Sequence, residues 1–299
     1  MVTSKFVEPL IKGSVVNAFT VDVEEYFQVS ALAPYIPRSN WESMPQRIEK
    51  KIDRMLELLD CSGNSGTFFV LGWIAERHPQ MVCRIANAGH EVASHGYAHM
   101  LVREQTEAMF REDVVRTKAI LEDLTGTAIL GFRAPSFSID RTTSWAHRVL
   151  RETGHRYSSS VYPIRHDHYG SPDAPRFAHQ IHDQMVEIPP TAMRLGQRNI
   201  PAGGGGFFRL LPYSVSRWMI RRVNTVDQQP TIFYCHPWEI DAEQPRVAGI
   251  DAQARFRHYV NLSRMEAKIS RLLADSRWDR IDRIFGLTQK VRDAELVVA

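Results

Sequence analysis

Short apolar runs alternate along this chain with longer segments of helical periodicity, and this alternation limits the folds available to it. The short runs are rich in β-branched or aromatic residues, which predicts strands at residues 15–23, 66–71, 91–94, 129–133, 157–160, 185–188 and 231–235. Apolar residues recur with the 3.6-residue period of a helix at residues 45–59, 104–124, 142–151, 213–222 and 262–273.

Strands that are separated by helices favour parallel βα units, as in a barrel or a doubly wound sheet. About seven strands favour barrel-like closure, so we expect an α/β fold built as a distorted or incomplete (β/α) barrel. Two stretches rich in Pro, Gly and polar residues, 166–176 and 197–206, are expected to be loops. We expect the barrel domain over residues 1–240 and a helical C-terminal extension, packed on the barrel, over residues 241–299.

The overall composition is that of a soluble globular protein, with 43% hydrophobic and 24% charged residues. A net charge of +3 is too mild to predict a nucleic-acid partner. The sequence contains no apolar run of about 18 residues, so we expect no membrane span. The first residues lack the apolar core of a signal peptide. Three widely spaced cysteines, without a CxxC pair, favour reduced thiols and a cytoplasmic location.

Two histidines, His95 and His99, follow the predicted strand 91–94 in the stretch "SHGYAH". Residues four apart can lie on one face of a helical turn. Because Gly96 disfavours a regular helix, a turn at the end of the strand is an equally good interpretation. Either arrangement lets both imidazoles reach one metal ion, but ordinary histidines also occur at this spacing. A catalytic zinc usually has three protein ligands and one open position, so a third ligand is needed.

Three acids, Asp22, Glu24 and Glu25, follow an apolar strand in "FTVDVEEYF". Burial of a carboxylate is costly unless the group is paired or bound to a metal. Side chains alternate along a strand, so Asp22 and Glu24 are expected on one side and Glu25 on the other. The alternative is a strand end that simply turns into solvent.

Arg133 follows another predicted strand, in "GFRAPSFS". Its fork of donors can clamp a carboxylate, and the backbone amides of Ser136 or Phe137 are candidates to face a substrate oxygen. A surface salt bridge is the alternative role for the arginine.

His236 ends the last predicted strand, in "IFYCHPWEID". A histidine after a strand can be catalytic, or it can be structural and hydrogen-bonded beneath Trp238. Four separate strands thus end in polar residues, which is the pattern of a barrel active site at the C-terminal ends of its strands.

The order of these residues resembles that of the NodB-homology polysaccharide deacetylases, carbohydrate esterase family 4, through Asp22, His95, His99, Arg133, Pro135 and His236. The stretch "GTFFVLGWIAERHP" is also similar to that family. Three further stretches, "VDVEEYF", "GGGGFFRLLPY" and "FRHYVNL", resemble a bacterial subgroup linked to exopolysaccharide export and sorting, which has its own C-terminal extension.

The resemblance implies hydrolysis of N-acetyl groups from an N-acetylated glycan with the help of Zn²⁺ or another divalent ion. The family's usual first motif has two adjacent aspartates, whereas Val23 follows Asp22 here. By analogy with an Asp-x-Asp version of the motif, Asp22 is expected to be the general base and Glu24 to bind the metal with His95 and His99.

The same resemblance assigns roles around the reacting carbonyl. Arg133 is expected to keep Asp22 ionised, an amide near Ser136 to stabilise the oxyanion, and His236 to protonate the departing amine. The aromatic residues Phe207 and Phe208 suit stacking on sugar rings, as does Trp238, although a core role is equally compatible with each of them.

Two alternative functions remain open from the sequence. The chain is also compatible with a deacylase of small cyclic amides, similar to allantoinase, or with an inactive glycan-binding module, which the missing second aspartate favours. No clear fourth family motif is present, although "YSSSVYP" stands near its place, so the residue that tunes His236 is not identifiable.

Overall fold

The seven predicted strands all form, and they lie side by side in one curled sheet. The computed structural model describes residues 5–10, 15–167, 169–182 and 185–288. The strands in these residues are β1 (Asn17–Val23), β2 (Thr67–Val70), β3 (Glu91–Ser94), β4 (Gly131–Phe132), β5 (Tyr157–Ser158), β6 (His179–His182), β7 (Met185–Glu187), β8 (Ala192–Leu195), β9 (Arg198–Pro201), β10 (Ile232–Cys235) and β11 (Trp278–Asp279). The α-helices are α1 (Ile48–Cys61), α2 (Gly72–Arg77), α3 (Pro79–Asn87), α4 (Glu107–Thr125), α5 (Trp145–Glu152), α6 (Gly205–Leu210), α7 (Tyr213–Arg222), α8 (Ala252–Tyr259), α9 (Leu262–Asp275) and α10 (Ile281–Ile284).

The main sheet has the order β10-β1-β2-β3-β4-β5-β7-β6. The strands from β10 to β7 are parallel, and β6 is antiparallel to β7 at the edge. The barrel does not close by strand pairing, because β10 bonds instead to a connecting segment: Ile232 N donates to Thr191 Oγ1 (2.7 Å) and Tyr234 N to Gly203 O (2.7 Å). The prediction of an incomplete (β/α) barrel is therefore confirmed.

Strand alternation sorts the side chains of the sheet into two layers. In β1, Phe19, Val21 and Val23 belong to the large core formed with the outer helices, whereas Ala18 packs in the barrel interior with the apolar residues of neighbouring strands. Asp22 has the same parity as Ala18, so it points into the interior at the C-terminal end of the strand. This alternation is what brings polar strand ends to the mouth of the barrel.

Several short elements were not predicted. Residues 197–206 do not form a loop throughout, because β8 and β9 make a hairpin around Gly196, whose φ is 57°. The expectation is wrong at this point because the arms, "AMRL" and "RNIP", lack the alternation of apolar residues that marks a strand. The helices α2 and α3 were not predicted either.

The region after residue 240 is mainly helical, with α8, α9 and α10, and its helix α9 packs against α1. It also contributes β11, which pairs in parallel with the start of β1 through Asn17 and Trp278. Residues 289–299 of the predicted extension lie outside the described residues.

Within the described residues, none of the helices combines the length and the apolar character needed to cross a membrane. Cys61, Cys83 and Cys235 are all free thiols.

The glycine run at residues 203–206 offers a test of how the barrel gap is filled. A Cβ on Gly203 would collide with the carbonyl of Ile232, whereas a Cβ on Gly206 would have no atom within 4 Å. We expect Gly203→Ala to lower the free energy of unfolding by about 1–3 kcal/mol, as is typical of overpacking. Gly206→Ala, within α6, is the matched control and should unfold at or above the wild-type temperature in a thermal melt. Equal melting temperatures for the two variants would contradict this account of the gap.

Candidate metal and catalytic site

Polar side chains from four strand ends meet at the C-terminal mouth of the barrel. Asp22 lies at the end of β1, His95 directly after β3, Arg133 directly after β4 and His236 directly after β10. These strands belong to one parallel sheet, so their C-terminal ends lie at the same rim of the barrel. Side chains alternate along each strand, and those with the parity of Asp22 point into the interior.

Arg133 and Asp22 form a buried ion pair, with 2.6 Å between Nη1 and Oδ1. The arginine is completely buried. Its remaining donors are also used: Nη1 donates to Thr20 Oγ1 (2.8 Å), and Nε and Nη2 donate to the carbonyl and hydroxyl of Ser159 (3.2 and 2.9 Å). The guanidinium lies 4.1 Å from the ring centre of Phe69. Each nitrogen of the guanidinium therefore has a hydrogen-bond partner, and the fixed cation can orient the Asp22 carboxylate.

Glu187 fixes the chain just after β5, next to Ser159, which accepts hydrogen bonds from Arg133. Sequence reasoning missed this residue. Its Oε1 accepts hydrogen bonds from the amides of Ser160 (2.7 Å) and Val161 (2.8 Å), and its Oε2 lies 3.1 Å from His147 Nε2. The "YSSSVYP" stretch thus holds Ser159 in place to accept hydrogen bonds from Arg133.

Glu24, His95 and His99 are buried together, and their ligand atoms lie within 4.8 Å of one another. The Nδ1 atom of His95 lies 2.8 Å from the carbonyl oxygen of Arg133. A carbonyl only accepts, so Nδ1 carries the hydrogen and Nε2 keeps its lone pair for a metal. Burial, the largest influence, lowers the pKa of His95 to about 4, which keeps the imidazole neutral.

The Glu24 carboxylate shows that a cation fits this place. Trp238 Nε1 donates to its Oε1 (3.2 Å), while its Oε2 is buried without a hydrogen-bond partner in suitable geometry, although His99 Nε2 lies 2.8 Å away. Burial acts to raise the pKa of Glu24, but His99 and His236 outweigh it and lower the pKa to about 2. A buried anionic oxygen beside two imidazoles is a donor set that suits a divalent metal such as zinc.

A turn at the end of the strand, not a helix, brings His99 to His95. Gly96 and His99 both have positive φ angles, 75° and 50°. The turn is tied down by Asp113 in α4, whose carboxylate accepts the Tyr97 amide (3.0 and 3.1 Å). Asp113 carries no sequence signal of its own, and we did not predict it.

The third acid of the first motif has a structural task. Glu25 Oε1 accepts the backbone amides of Arg47 and Ile48, and so caps the start of α1. Burial raises the pKa of Glu25 to about 7. Asp22 and Glu24 face the site while Glu25 faces away, as alternation predicts.

His236 stands between the two acids of the site and a third carboxylate. Its Nε2 lies 3.6 Å from Glu24 Oε1 and 3.9 Å from Asp22 Oδ2, and its Nδ1 lies 3.2 Å from Glu239 Oε2. The side chain is 19% exposed, so a substrate can reach it. Burial opposes its charge, but Glu24, Glu239 and Asp22 outweigh burial and raise the pKa of His236 to about 9.

Glu239 is the tuning residue that the sequence did not reveal. It lies three residues after His236 and also accepts the His236 amide (3.0 Å). Its other oxygen pairs with Arg209 Nε (2.8 Å), and both side chains are buried. The spacing of His236 and Glu239 within "HPWE" was the available signal. Gly205 is required here, because a Cβ at that position would collide with the Glu239 carboxylate.

The aromatic residues that were expected to bind sugar need correction. Phe208 is 2% exposed and packs on Tyr213 and Phe233, so it belongs to the core. Trp238 is buried and stacks with His236 and His258. Only Phe207 remains partly exposed among the three. Sequence alone does not separate a core aromatic from one that faces a ligand.

The two candidate amides after Arg133 differ in their availability. Phe137 N donates to Ala134 O (3.0 Å) and its ring packs on Tyr234, so this amide is engaged. Ser136 lies in the first turn of the short 3₁₀ helix, where the turn offers its amide no partner. Ser136 and Phe137 both have left-handed φ angles, 50° and 49°, and such strain is common at functional sites.

The ligand assignment leads to a binding prediction. Glu24→Gln and His95→Ala should each weaken Zn²⁺ binding by more than the factor of about 10–100 that is typical of changes outside the ligand shell. Asp22→Asn is the matched control, because Asp22 pairs with Arg133 and lies outside the ligand trio. Competition with a chromophoric chelator measures the dissociation constants. Loss of zinc in Asp22→Asn, with retention in Glu24→Gln, would reverse the assignment.

Two family matches divide the chain. Residues 40–158 match the polysaccharide deacetylase family, and residues 159–286 match a domain of unknown function, DUF3473. The first range contains His95, His99 and Arg133, and the second contains His236. Asp22 and Glu24 lie before both ranges.

The chain is similar to a peptidoglycan-N-acetylglucosamine deacetylase of Bacillus cereus, with 35% identity over 94 residues, or 31% of this chain and 34% of the relative. It spans about a third to a half of the length of the curated relatives that it matches. A Mycobacterium smegmatis structure, provisionally named a polysaccharide deacetylase, has 19% identity and a TM-score of 0.59, covering 95% of this chain and 94% of that one.

A carbohydrate esterase family 4 pseudoenzyme from Bacillus anthracis shares the fold at 12% identity and a TM-score of 0.50, covering 93% of this chain and 68% of that one. At such identities a structural likeness establishes the fold alone. Residues 40–158 therefore match the polysaccharide deacetylase family, and the chain shares the fold of a structure from carbohydrate esterase family 4.

Proposed function

We propose that the protein is a metal-dependent N-deacetylase of an N-acetylated polysaccharide, and that it releases acetate. The observation that carries the proposal is the convergence at one mouth of a metal-type trio, an acid clamped by arginine and a partly exposed histidine. The fold alone would not support an activity, since a pseudoenzyme shares it.

The chemistry begins with Asp22, whose carboxylate is oriented by its ion pair with Arg133. From this position within the site it can accept a proton from the attacking water as general base. A divalent cation held by Glu24, His95 and His99 would supply Lewis-acid chemistry, by polarising the acyl carbonyl and lowering the pKa of water.

Ser136 and His236 are the candidates for the later steps. The amide of Ser136 is the candidate donor to the oxyanion of the tetrahedral intermediate. His236, whose raised pKa keeps it protonated at neutral pH, can give its proton to the amine nitrogen as the C–N bond breaks. Glu239 and Arg209 keep its imidazole in place.

The substrate class follows from the relatives and from the second matched region. The Bacillus cereus relative is named for peptidoglycan N-acetylglucosamine, and a Helicobacter pylori relative is named a peptidoglycan deacetylase. The DUF3473 match is consistent with the exopolysaccharide subgroup. We therefore favour an N-acetylated exopolysaccharide or a similar glycan as the substrate, with zinc as the first metal to test.

The altered first motif does not favour an inactive module once the geometry is considered. Glu24 can serve as the ligand, because its carboxylate lies with His95 and His99 in a group that could hold a metal ion. Asp22 meanwhile keeps the partner that a base needs. No observation on the described residues favours small cyclic amides over a glycan.

Acetate release tests the function directly. The wild-type protein loaded with Zn²⁺ should release acetate from at least one member of a panel of N-acetylglucosamine polymers, peptidoglycan and acetylated exopolysaccharide. A chelator should abolish release and added Zn²⁺ should restore it. Asp22→Asn should bind zinc but release no acetate above background. A zinc-loaded, folded protein that releases none from the whole panel would refute the proposal.

His236 provides a prediction on rate and on pH. His236→Ala should keep zinc and lower kcat by about 10²–10⁴-fold, the range for loss of a general acid. Because a raised pKa keeps His236 protonated at neutral pH, wild-type kcat should fall only well above neutral pH, and the variant should lack this fall. A variant that loses thermal stability while kcat per folded molecule stays at the wild-type value would show that His236 is structural.

A further inference from the structure

We propose that the segment 241–262, within the region that matches the domain of unknown function, is a positioning wall for the active site. This inference rests on the proposed function and assigns the segment a task within it. The wall acts on Trp238 and Glu239, and through them on Glu24 and His236. None of the candidate catalytic or metal-binding residues lies in this segment, which includes the stretch "FRHYVNL".

The first contact of the wall is a stack of three rings. His258, near the end of α8, lies against Trp238 with 4.4 Å between ring centres and 17° between planes. His236 also stacks on Trp238, at 5.1 Å and 18°. The indole thus stacks with two imidazoles, and its Nε1 donates to Glu24 (3.2 Å). The plane of His258 therefore sets the plane of a group that orients a metal ligand.

The plane of His258 is fixed by Gln244, which lies in the same segment. His258 Nε2 lies 2.7 Å from Gln244 Oε1, and the other end of the amide donates to the carbonyls of Trp238 (2.8 Å) and Asp241 (3.0 Å). Because two carbonyls take the amide nitrogen, Oε1 faces the histidine and accepts from it. His258 is 3% exposed, and Gln244 is also 3% exposed.

The second contact of the wall passes through Arg209. Its guanidinium donates to the carbonyls of Arg257 (3.1 Å), His258 (2.9 Å) and Val260 (2.8 Å), at the C-terminal end of α8. Its Nε donates to Glu239 (2.8 Å). Free carbonyls at a helix end favour a cation, so the helix end and Glu239 hold the arginine from two sides.

These contacts differ from ordinary core packing in their chemistry. A segment that only covered the barrel would need only apolar side chains, because buried polar groups are costly unless each is hydrogen-bonded. Here a buried histidine and a buried glutamine reach Glu24 through Trp238, and three backbone carbonyls reach His236 through Arg209 and Glu239. Positioning groups of this kind around a metal ligand typically change affinity or activity by about 10–100-fold when they are removed.

The experiment compares His258→Ala with His258→Phe and with Gln253→Ala, an exposed position on the same helix. Removal of the ring should lower kcat and raise the Zn²⁺ dissociation constant, each by about 10–100-fold, with little change in KM. Phenylalanine keeps a flat ring against Trp238 and should recover both quantities to within a few fold. Gln253→Ala should match the wild type. Zinc affinity is measured by chelator competition and folding by thermal melts.

A second variant covers the case in which His258→Ala does not fold. Gln244→Ala leaves the ring in place but frees its orientation, so it should weaken zinc binding in the same direction by a smaller factor. Wild-type zinc affinity and kcat in a folded His258→Ala, or in Gln244→Ala if the former fails to fold, would overturn the proposal. If wild-type protein binds zinc but releases no acetate, the proposed function fails while the zinc titrations still decide on the wall.

Discussion

The site depends on one buried ion pair, between Arg133 and Asp22. A fully buried guanidinium is tolerated only when its charge is paired and its donors are used, and removal of one partner from such a pair typically costs about 3–5 kcal/mol. Thr20, Ser159 and the ring of Phe69 meet the remaining demands of the cation. Because these groups come from different strands, the pair also fixes the strand ends relative to one another. His95 joins the same arrangement through the carbonyl of Arg133.

The three acids of the first motif have different roles, because their side chains point in different directions. Asp22 faces the arginine, Glu24 faces the two histidines, and Glu25 turns to the opposite side and caps α1. The cap also connects the site to the outer helices, because it joins the motif directly to the start of a helix in the main core. Residues 22–25 therefore include a candidate base, a candidate metal ligand and a structural cap.

The two matched regions are not separate in space at the site. The polysaccharide deacetylase region supplies His95, His99 and Arg133, while the region of unknown function supplies His236 together with Glu239 and Arg209. The run of glycines at 203–206 makes this possible, since backbone at Gly203 and Gly205 lies too close to β10 and to Glu239 to leave room for a side chain. Glycine in this run serves close approach, not a flexible sugar-binding loop.

Local pattern was sufficient to predict the strands, the incomplete barrel and the positions of Asp22, Glu24, His95, Arg133 and His236, because strand ends and side-chain alternation are properties of a few neighbouring residues. It was insufficient for Asp113, Glu187, Arg209 and His258, which lie far along the chain from the groups that they hold. It also misjudged Phe208 and Trp238, since an aromatic side chain has the same local signature in a core and at a ligand. The sequence by itself thus determined which groups reach the mouth of the barrel. Only the tertiary structure decided what holds them there, because hydrogen bonds and ring contacts between distant segments form when the barrel brings those segments together.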